Sequence, residues 1–244
     1  MKFSIKTLAI LMTFMFSGFF FLQAQENVRK DYLSADFHKG RRDALRAKLP
    51  DNSVAVFFAS PIRNRSNDVD FIYHQDPDLY YLTGYNEPHA VLLVFKNMQT
   101  DKTGNEYNEI FFVQTRNAQA EQWTGRRLGS AGAQEKLGIL NSFNNTDFKA
   151  YDVDFEKFDK ILFYEFKNDV RDNARDESDL YSLIQQFKSK VGYGIEANSL
   201  GAEPKKNNLD LRGLNTIMGE LRGIKTKDEL DLLRKAVFIS AVGQ

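Results

Sequence analysis

Few side chains in this sequence have the type and spacing that chemistry needs. The three histidines are His38, His74 and His89, and they stand too far apart for the paired-histidine arrangement that holds a metal on one helix face. There is no cysteine, hence no thiol nucleophile. The Gly-x-Ser-x-Gly elbow, the phosphate loop ending in Gly-Lys-Ser/Thr and the Gly-x-Gly-x-x-Gly fingerprint are also missing from the sequence. Asp147, Asp152, Asp154 and Glu156 cluster along the chain, but Phe148, Phe155 and Phe158 are interleaved with them. That pattern reads as the solvated face of an amphipathic segment. Trp123, the only Trp, lies in the Gly- and Arg-rich stretch EQWTGRRLG. On the residues alone it reads as an aromatic packed on the surface and stacked by Arg126 or Arg127. Asp68, in RSND, reads as a turn-capping carboxylate. No residue is assigned a catalytic role and no metal site is expected.

The elements around these residues alternate between helix and strand. Phe37 to Leu49 has helical spacing, with Phe37, Arg41, Ala44, Leu45 and Leu49 near one stripe and Pro50 as its stop; His38 and the Arg41-Arg42 pair are placed on its solvated face. Ser53 to Ser60 (SVAVFFAS) reads as a strand. Leu79 to Thr83 is aromatic and β-disposed, broken by Gly84. Pro88 turns the chain into the apolar run Ala90 to Phe95, which fits a strand buried on both faces. Asn97 to Asn108 reads as a loop and Glu109 to Gln114 as the returning antiparallel strand. A short helix is expected from Ala131 to Leu137, a turn-rich loop from Asn141 to Thr146 and a buried strand from Lys160 to Phe166. A helix from Asp179 to Phe187, capped by Ser178, and a short strand from Val191 to Glu196 follow. The sum is an α/β fold with a mixed sheet flanked by helices.

Composition excludes some partners. Lys and Arg together number 33, matching the 33 Asp and Glu, so no global charge excess points to nucleic acid or a membrane surface. Lys2 and Lys6 followed by the uncharged run Leu8 to Leu22, ending near Ala24, form the pattern of a secretory signal peptide over residues 1–24; the run is short for a membrane span. The expectation is an exported protein, periplasmic or secreted, with no membrane contact once the leader is cleaved. Near the other end Thr226-x-x-Glu229 is a capping box opening a helix, with Leu230, Leu233 and Val237 along one face. An apolar stripe of that kind needs a covering surface, and the sequence is read as a piece of a longer protein.

Three stretches together resemble the N-terminal domain of aminopeptidase P, the Xaa-Pro aminopeptidases of the creatinase/prolidase superfamily. The first is Arg65-Ser66-x-Asp68, Tyr73-x-Gln75 and Asp78-x-Tyr80-Tyr81-Leu82-Thr83-Gly84-Tyr85-Asn86-Glu87-Pro88-x-Ala90-Val91-Leu92. The second is Glu121-x-Trp123-x-Gly125-Arg126-Arg127-Leu128-Gly129, then Glu135-Lys136-Leu137-Gly138. The third is Glu220-Leu221-Arg222-x-Ile224-Lys225-Thr226-x-x-Glu229-Leu230, then Leu233-Arg234-Lys235-Ala236.

The resemblance implies that residues 32–212 form that N-terminal domain. Residues 213–244 would then be a linker and the first helix of a truncated C-terminal pita-bread domain. It implies a metalloaminopeptidase that removes the first residue from peptides with Pro at position two. In the full-length family two manganese ions are held by Asp, His and Glu ligands of the pita-bread domain. None would be bound by this chain, which alone would be inactive. The implied partners are the peptide substrate, the chain's own pita-bread domain and further copies in a homo-oligomer, with no nucleic acid. Two substrate-binding residues follow from the motifs. Trp123 matches a Trp that walls the pocket for the substrate's first side chain, and Asp68 matches a carboxylate that reaches a neighbouring subunit's active site, near the peptide's free amine. A prolidase N-terminal domain, limited to dipeptides, and a non-catalytic binding or assembly domain are the alternatives; the EQWTGRRLG match favours the aminopeptidase. This sequence departs from the family at His74, where Arg is common, and at Thr124, where an aromatic often follows the Trp.

Overall fold

The computed structural model describes residues 32–198, 201–204 and 206–244; the leader assigned to residues 1–24 lies outside them. Leu33–Asp231 form one compact unit, and Leu232–Gln244 belong to a second. The first unit is built on a six-stranded mixed sheet. Its strands are β1 (Ser53–Phe58), β4 (Val91–Thr100), β5 (Glu106–Val113), β6 (Ser142–Asn144), β7 (Lys160–Leu162) and β10 (Leu209–Asp210), in the order β10-β7-β1-β4-β5-β6. β4 pairs antiparallel with β1 and β5, while β10/β7, β7/β1 and β5/β6 are parallel. Two hairpins lie outside the sheet, β2 (Asn64–Ser66) with β3 (Val69–Asp70), and β8 (Ile195–Asn198) with β9 (Gly201–Pro204).

Successive side chains of a strand point to opposite faces, so the apolar runs of β1, β4 and β5 supply two cores. Ala55, Phe57, Leu92, Val94, Phe111 and Val113 face one way. There they meet Leu45 of α1 (Ala35–Lys48), Leu79 and Leu82 of α2 (Pro77–Thr83), Ala133 of α4 (Gly129–Leu137) and Leu214, Met218 and Leu221 of α6 (Gly213–Gly223). Val54, Val56, Val91, Leu93, Phe95, Ile110 and Phe112 face the other way, against Leu183, Phe187 and Val191 of α5 (Leu180–Val191). Phe148, Phe155 and Phe158 complete that second core while Asp147, Asp152, Asp154 and Glu156 stay exposed, as the interleaved pattern requires.

The mixed sheet, its central strands and the helical covering match the expectation from sequence, and several local assignments change. Leu79 to Thr83 is helical, not extended. Asp76 caps α2 by accepting the Asp78 and Leu79 amides (3.0 and 2.9 Å), Pro77 opens it, and Gly84 at φ 72° closes it; cap, opener and left-handed stop outweigh aromatic strand propensity. Asn97 to Asn108 is mostly strand, because β4 runs on to Thr100 and β5 begins at Glu106, leaving a tip at 101–105. Part of Asn141 to Thr146 is β6, recruited by the exposed ladder of β5. The ladder of β7 stops at Leu162 instead of reaching Phe166. Asp179, not Ser178, caps α5, accepting the Ser182 amide at 2.7 Å. α5 persists to Val191, so the next strand starts at Ile195. The capping box stands: Glu229 accepts from the Thr226 amide and hydroxyl, both at 2.9 Å, at the start of α7 (Lys227–Gly243).

The solvated placement of His38 and Arg42 on α1 is overturned, since both are buried. Arg42 forms a two-toothed ion pair with Glu109 of β5 (2.9 and 3.0 Å) and donates to the Leu82 carbonyl at 2.9 Å; Arg46 joins the same carboxylate at 3.0 Å. A buried guanidinium persists only where such bonds replace water. His38 Nδ1 donates to the Tyr81 carbonyl at 2.9 Å, and its ring lies against Gly84, where a Cβ would come within 2.7 Å of Nε2. Burial, chiefly, lowers the His38 pKa; the Arg42 charge acts in the same direction. Arg41 is half-buried, its guanidinium over the Phe37 ring. Among the described residues no helix is long and apolar enough to cross a membrane.

Candidate functional site

The segments on either side of α2 carry a connected set of polar side chains. Gln75 is buried; its Oε1 accepts from the Ser60 amide (2.9 Å), the Tyr73 hydroxyl (2.9 Å) and the Asp76 amide (2.8 Å), and its Nε2 donates to the Glu87 carbonyl (2.8 Å). The Glu87 side chain faces onward. Oε2 accepts the Tyr85 hydroxyl at 3.1 Å and Oε1 accepts the Leu128 amide at 2.7 Å. The same Tyr85 hydroxyl accepts the Gln114 amide at 3.2 Å. Burial, first, raises the Glu87 pKa, against the Leu128 and Tyr85 hydrogen bonds and the nearby Arg127 charge, which favour the carboxylate. Burial, with the Glu87 charge next, pushes the Tyr85 phenol well up, so that it stays a donor.

Trp123 sits on α3 (Ala118–Thr124), a two-turn helix. Asn117 caps it, its Oδ1 accepting the Gln119 and Ala120 amides at 3.0 Å each, and Gly125 at φ 81° ends it. Arg116 grips Glu121 with two bonds (2.9 and 2.8 Å), which lowers the Glu121 pKa. No residue of α3 is buried, and the Trp123 side chain is 89% exposed. No cation over its ring is seen among the described residues, so the surface-stacked arrangement with Arg126 or Arg127 does not form; Arg127 instead donates to the Thr115 carbonyl at 2.9 Å.

The two ends of this segment meet on a common base. Thr115 gives its amide and hydroxyl to Asn145 Oδ1 (3.3 and 3.0 Å), and Asn145 Nδ2 donates to the carbonyls of His89 (3.1 Å) and Ser178 (2.9 Å). Gly129, at φ 67°, passes so close beneath Arg116 that a Cβ would lie 2.5 Å from its Cγ. His89, itself at φ 58°, accepts the Leu180 amide through Nδ1 at 3.0 Å, tying the base to α5; burial is the main cause of its lowered pKa. A cavity of about 510 Å³ opens beside this base, with Glu87, Arg116, Arg126 and Arg127 on its wall. Sequence reasoning missed Asn145, the Glu87 side chain and the Tyr85 hydroxyl. Only the last two lay inside a quoted motif, and nothing local marks Asn145.

Asp68 lies elsewhere, exposed in the turn of the β2/β3 hairpin. The hairpin is held by Asn64 Nδ2, which donates to the Asn67 and Val69 carbonyls (3.0 and 3.1 Å), and by the Arg63–Asp169 ion pair at 2.6 Å. Asp68 itself caps nothing among the described residues. Val69, Phe71 and Ile72 beside it are exposed too, and so is His74. No hydrogen bond or ion pair among the described residues joins the Asp68 hairpin to the Trp123 segment, so the structure does not bring the two candidate substrate residues together within one chain. Nor do the described residues fit a metal centre: no three His, Asp or Glu side chains converge among them. His38 and His89 have each committed a ring nitrogen to the backbone. No step can be derived through a metal on these side chains.

A six-stranded mixed sheet with helices packed on both faces and short hairpins outside it defines a mixed α/β domain. The family described as "Aminopeptidase P, N-terminal domain" matches residues 38–160. Among curated proteins the chain is similar to the Xaa-Pro aminopeptidase of Escherichia coli, 43% identical over 205 residues, covering 83% of this chain and 42% of that protein. It is also similar to intermediate cleaving peptidase 55 of Schizosaccharomyces pombe, 27% identical, covering 86% and 39%. Among solved structures, aminopeptidase P from E. coli with the inhibitor Pro-Leu superposes with a TM-score of 0.63, at 27% identity over the superposed residues, covering 86% of this chain and 43% of that one. Proline aminopeptidase P II from Yersinia pestis gives a TM-score of 0.60 at 28% identity, with coverage of 86% and 44%. This chain belongs to the aminopeptidase P N-terminal domain family. It spans about two fifths of the length of the curated relatives it matches.

Proposed function

We propose that this chain serves as the N-terminal domain of an Xaa-Pro aminopeptidase, presenting substrate-binding side chains to a metal-bearing catalytic domain of the same polypeptide. The observation that carries the reading is Trp123: an indole exposed over nearly its whole surface, on a helix with no fully buried residue, makes no core contact in its own domain. In this reading Trp123 forms an apolar wall for the first side chain of a peptide with Pro at position two. Asp68, at the tip of a hairpin flanked by exposed Val69, Phe71 and Ile72, reaches the active site of a neighbouring copy and attracts the peptide's ammonium group. The catalytic domain is taken to be of the pita-bread kind and to hold two manganese ions, which would bind and activate the attacking water. Residues 32–212 are the N-terminal domain, 213–244 the connection into the catalytic one, and residues 1–24 a signal peptide removed on export to the periplasm or beyond. Support for the metal comes from a Zn-substituted aminopeptidase P of E. coli, similar in fold at a TM-score of 0.63.

The test compares two proteins given manganese and Xaa-Pro peptides. The 244-residue chain should show no turnover, and the polypeptide extended through its catalytic domain should release the first residue from tripeptides and longer substrates. Trp123→Ala in the extended protein should lower kcat/KM about ten- to two-hundred-fold. Hydrolysis confined to dipeptides would favour the prolidase alternative, and metal-dependent cleavage by the 244-residue chain alone refutes the division of labour.

A further inference from the structure

Hydrophobic burial fixes most of this domain but not the element that carries Trp123. From Arg116 to Arg126 no residue is fully buried, and only Ala120 and Glu121 are half-buried, so apolar packing does little to determine where α3 stands. What remains is polar and sits at the two ends of the segment. On the incoming side the Gln114 amide donates to the Tyr85 hydroxyl and Thr115 donates to Asn145. On the outgoing side the Leu128 amide donates to Glu87 Oε1 at 2.7 Å, the shortest of these bonds. Because the Tyr85 hydroxyl donates to Glu87 Oε2, one carboxylate is bonded to both ends of the segment, directly at Leu128 and through one phenol at Gln114. The Leu128 side chain packs on the core, so the bond to its amide also sets the direction in which the chain leaves α3.

We propose that Glu87 is the positioning residue of this domain's substrate wall: its carboxylate, bridging the Tyr85 hydroxyl and the Leu128 amide, closes the 114–128 segment and so fixes the stance of α3 and of Trp123. Glu87 touches no substrate in this arrangement and acts only through the segment it closes. The bridging bonds are charge-assisted and half-shielded from water, the setting in which such bonds hold geometry best. A glutamine keeps the shape and one acceptor oxygen, yet cannot accept from Tyr85 through its nitrogen and has no charge to hold Arg127 nearby. The inference about catalysis rests on the aminopeptidase reading; the inference about position does not.

Because Trp123 is the only Trp, its fluorescence reports on α3 alone. Time-resolved anisotropy and acrylamide quenching of the 244-residue protein should show α3 loosened by Glu87→Gln and by Tyr85→Phe. The expected result is about a doubling of the amplitude of the fast anisotropy decay, with far-UV circular dichroism and the melting temperature nearly unchanged. If Glu87→Gln folds and leaves Trp123 as immobile as in the parent, the proposal is overturned. Should that variant fold poorly, Tyr85→Phe alone decides in the same way. In the extended, active protein Glu87→Gln should raise KM for an Xaa-Pro peptide about five- to tenfold while kcat stays within about twofold. A purely structural lesion lowers active fraction and kcat instead. Silence of Trp123→Ala in catalysis overturns the aminopeptidase reading and leaves the anisotropy difference standing, so the two failures are distinguishable.

Discussion

The strand β4 and the helix α3 are held by opposite means. Val91 to Phe95 are all fully buried, contacted on both faces of the sheet, and their position follows from volume and apolar area. From Arg116 to Arg126 no residue is fully buried, and the segment is tied at its ends by a handful of directed hydrogen bonds at Glu87, Asn145 and Thr115. Packing resists small changes in shape and is indifferent to charge, whereas hydrogen bonds across a few ångströms can be released by one substitution at little cost to the fold. Under the proposed function, a domain that must be rigid yet present an adjustable side chain to a substrate has reason to use both.

The largest expected effect comes from the packed region. Leu93→Ala, in the centre of β4 and buried among residues of the α5 face, should cost about 2–5 kcal/mol of unfolding free energy. Urea denaturation followed by circular dichroism measures it. A loss below about 1 kcal/mol would show that the two-sided core relaxes around the cavity, and the contrast with α3 would collapse from the packed side.

A smaller effect, with a defined sign in pH, comes from His38, which stands between the two modes of holding: buried like a core residue, yet bonded through its ring to the Tyr81 carbonyl. Its pKa is lowered in the folded state, mainly by burial. The contribution of neutral His38 is therefore fully present above its unfolded value of about 6.5 and is lost as pH falls through the lower folded value. His89 has the same sign. Asp76 and Glu87, whose pKa values burial raises, act in the opposite sense, favouring the folded state as they take up protons. The difference between the parent and His38→Gln isolates the histidine. Unfolding free energies measured down the acid limb should converge as pH falls below about 6.5, and parallel curves would mean that His38 is solvated.

What the sequence made legible follows the same division. Ala90 to Phe95 could be read as a two-faced strand because packing is written into composition along one stretch. The Asp-Pro start and Gly stop of α2 were also present in the sequence, and Tyr80 and Tyr81 drew the reading towards a strand. His38 and Arg42 were misplaced for a different reason. Polarity along a helix points outward unless a distant partner is known, and Glu109 lies 67 residues from Arg42 in the chain. Asn145 was invisible for the same cause, since its bonds reach Thr115, His89 and Ser178 and nothing beside it in sequence announces them. Trp123 was found through a motif, but the motif gives no sign that Glu87 accepts a hydrogen bond from the end of the segment bearing it.

The smallest expected effect is the most discriminating. Trp123→Ala removes the largest side chain type from a site where it buries almost nothing, so the apolar term that dominates Leu93→Ala is nearly zero here. Arg116–Glu121 and the Asn117 cap, which hold α3 together, do not involve the indole. Ala is also the better helix former, by a few tenths of a kcal/mol. Unfolding free energy should therefore change by less than about 0.5 kcal/mol, towards greater stability if it moves at all. A loss above about 1 kcal/mol would mean that the indole is covered in solution and that α3 is packed after all. With a neutral result, any loss of peptide hydrolysis in the extended protein carrying the same substitution belongs to substrate binding and not to the fold, because the domain that presents the indole does not depend on it.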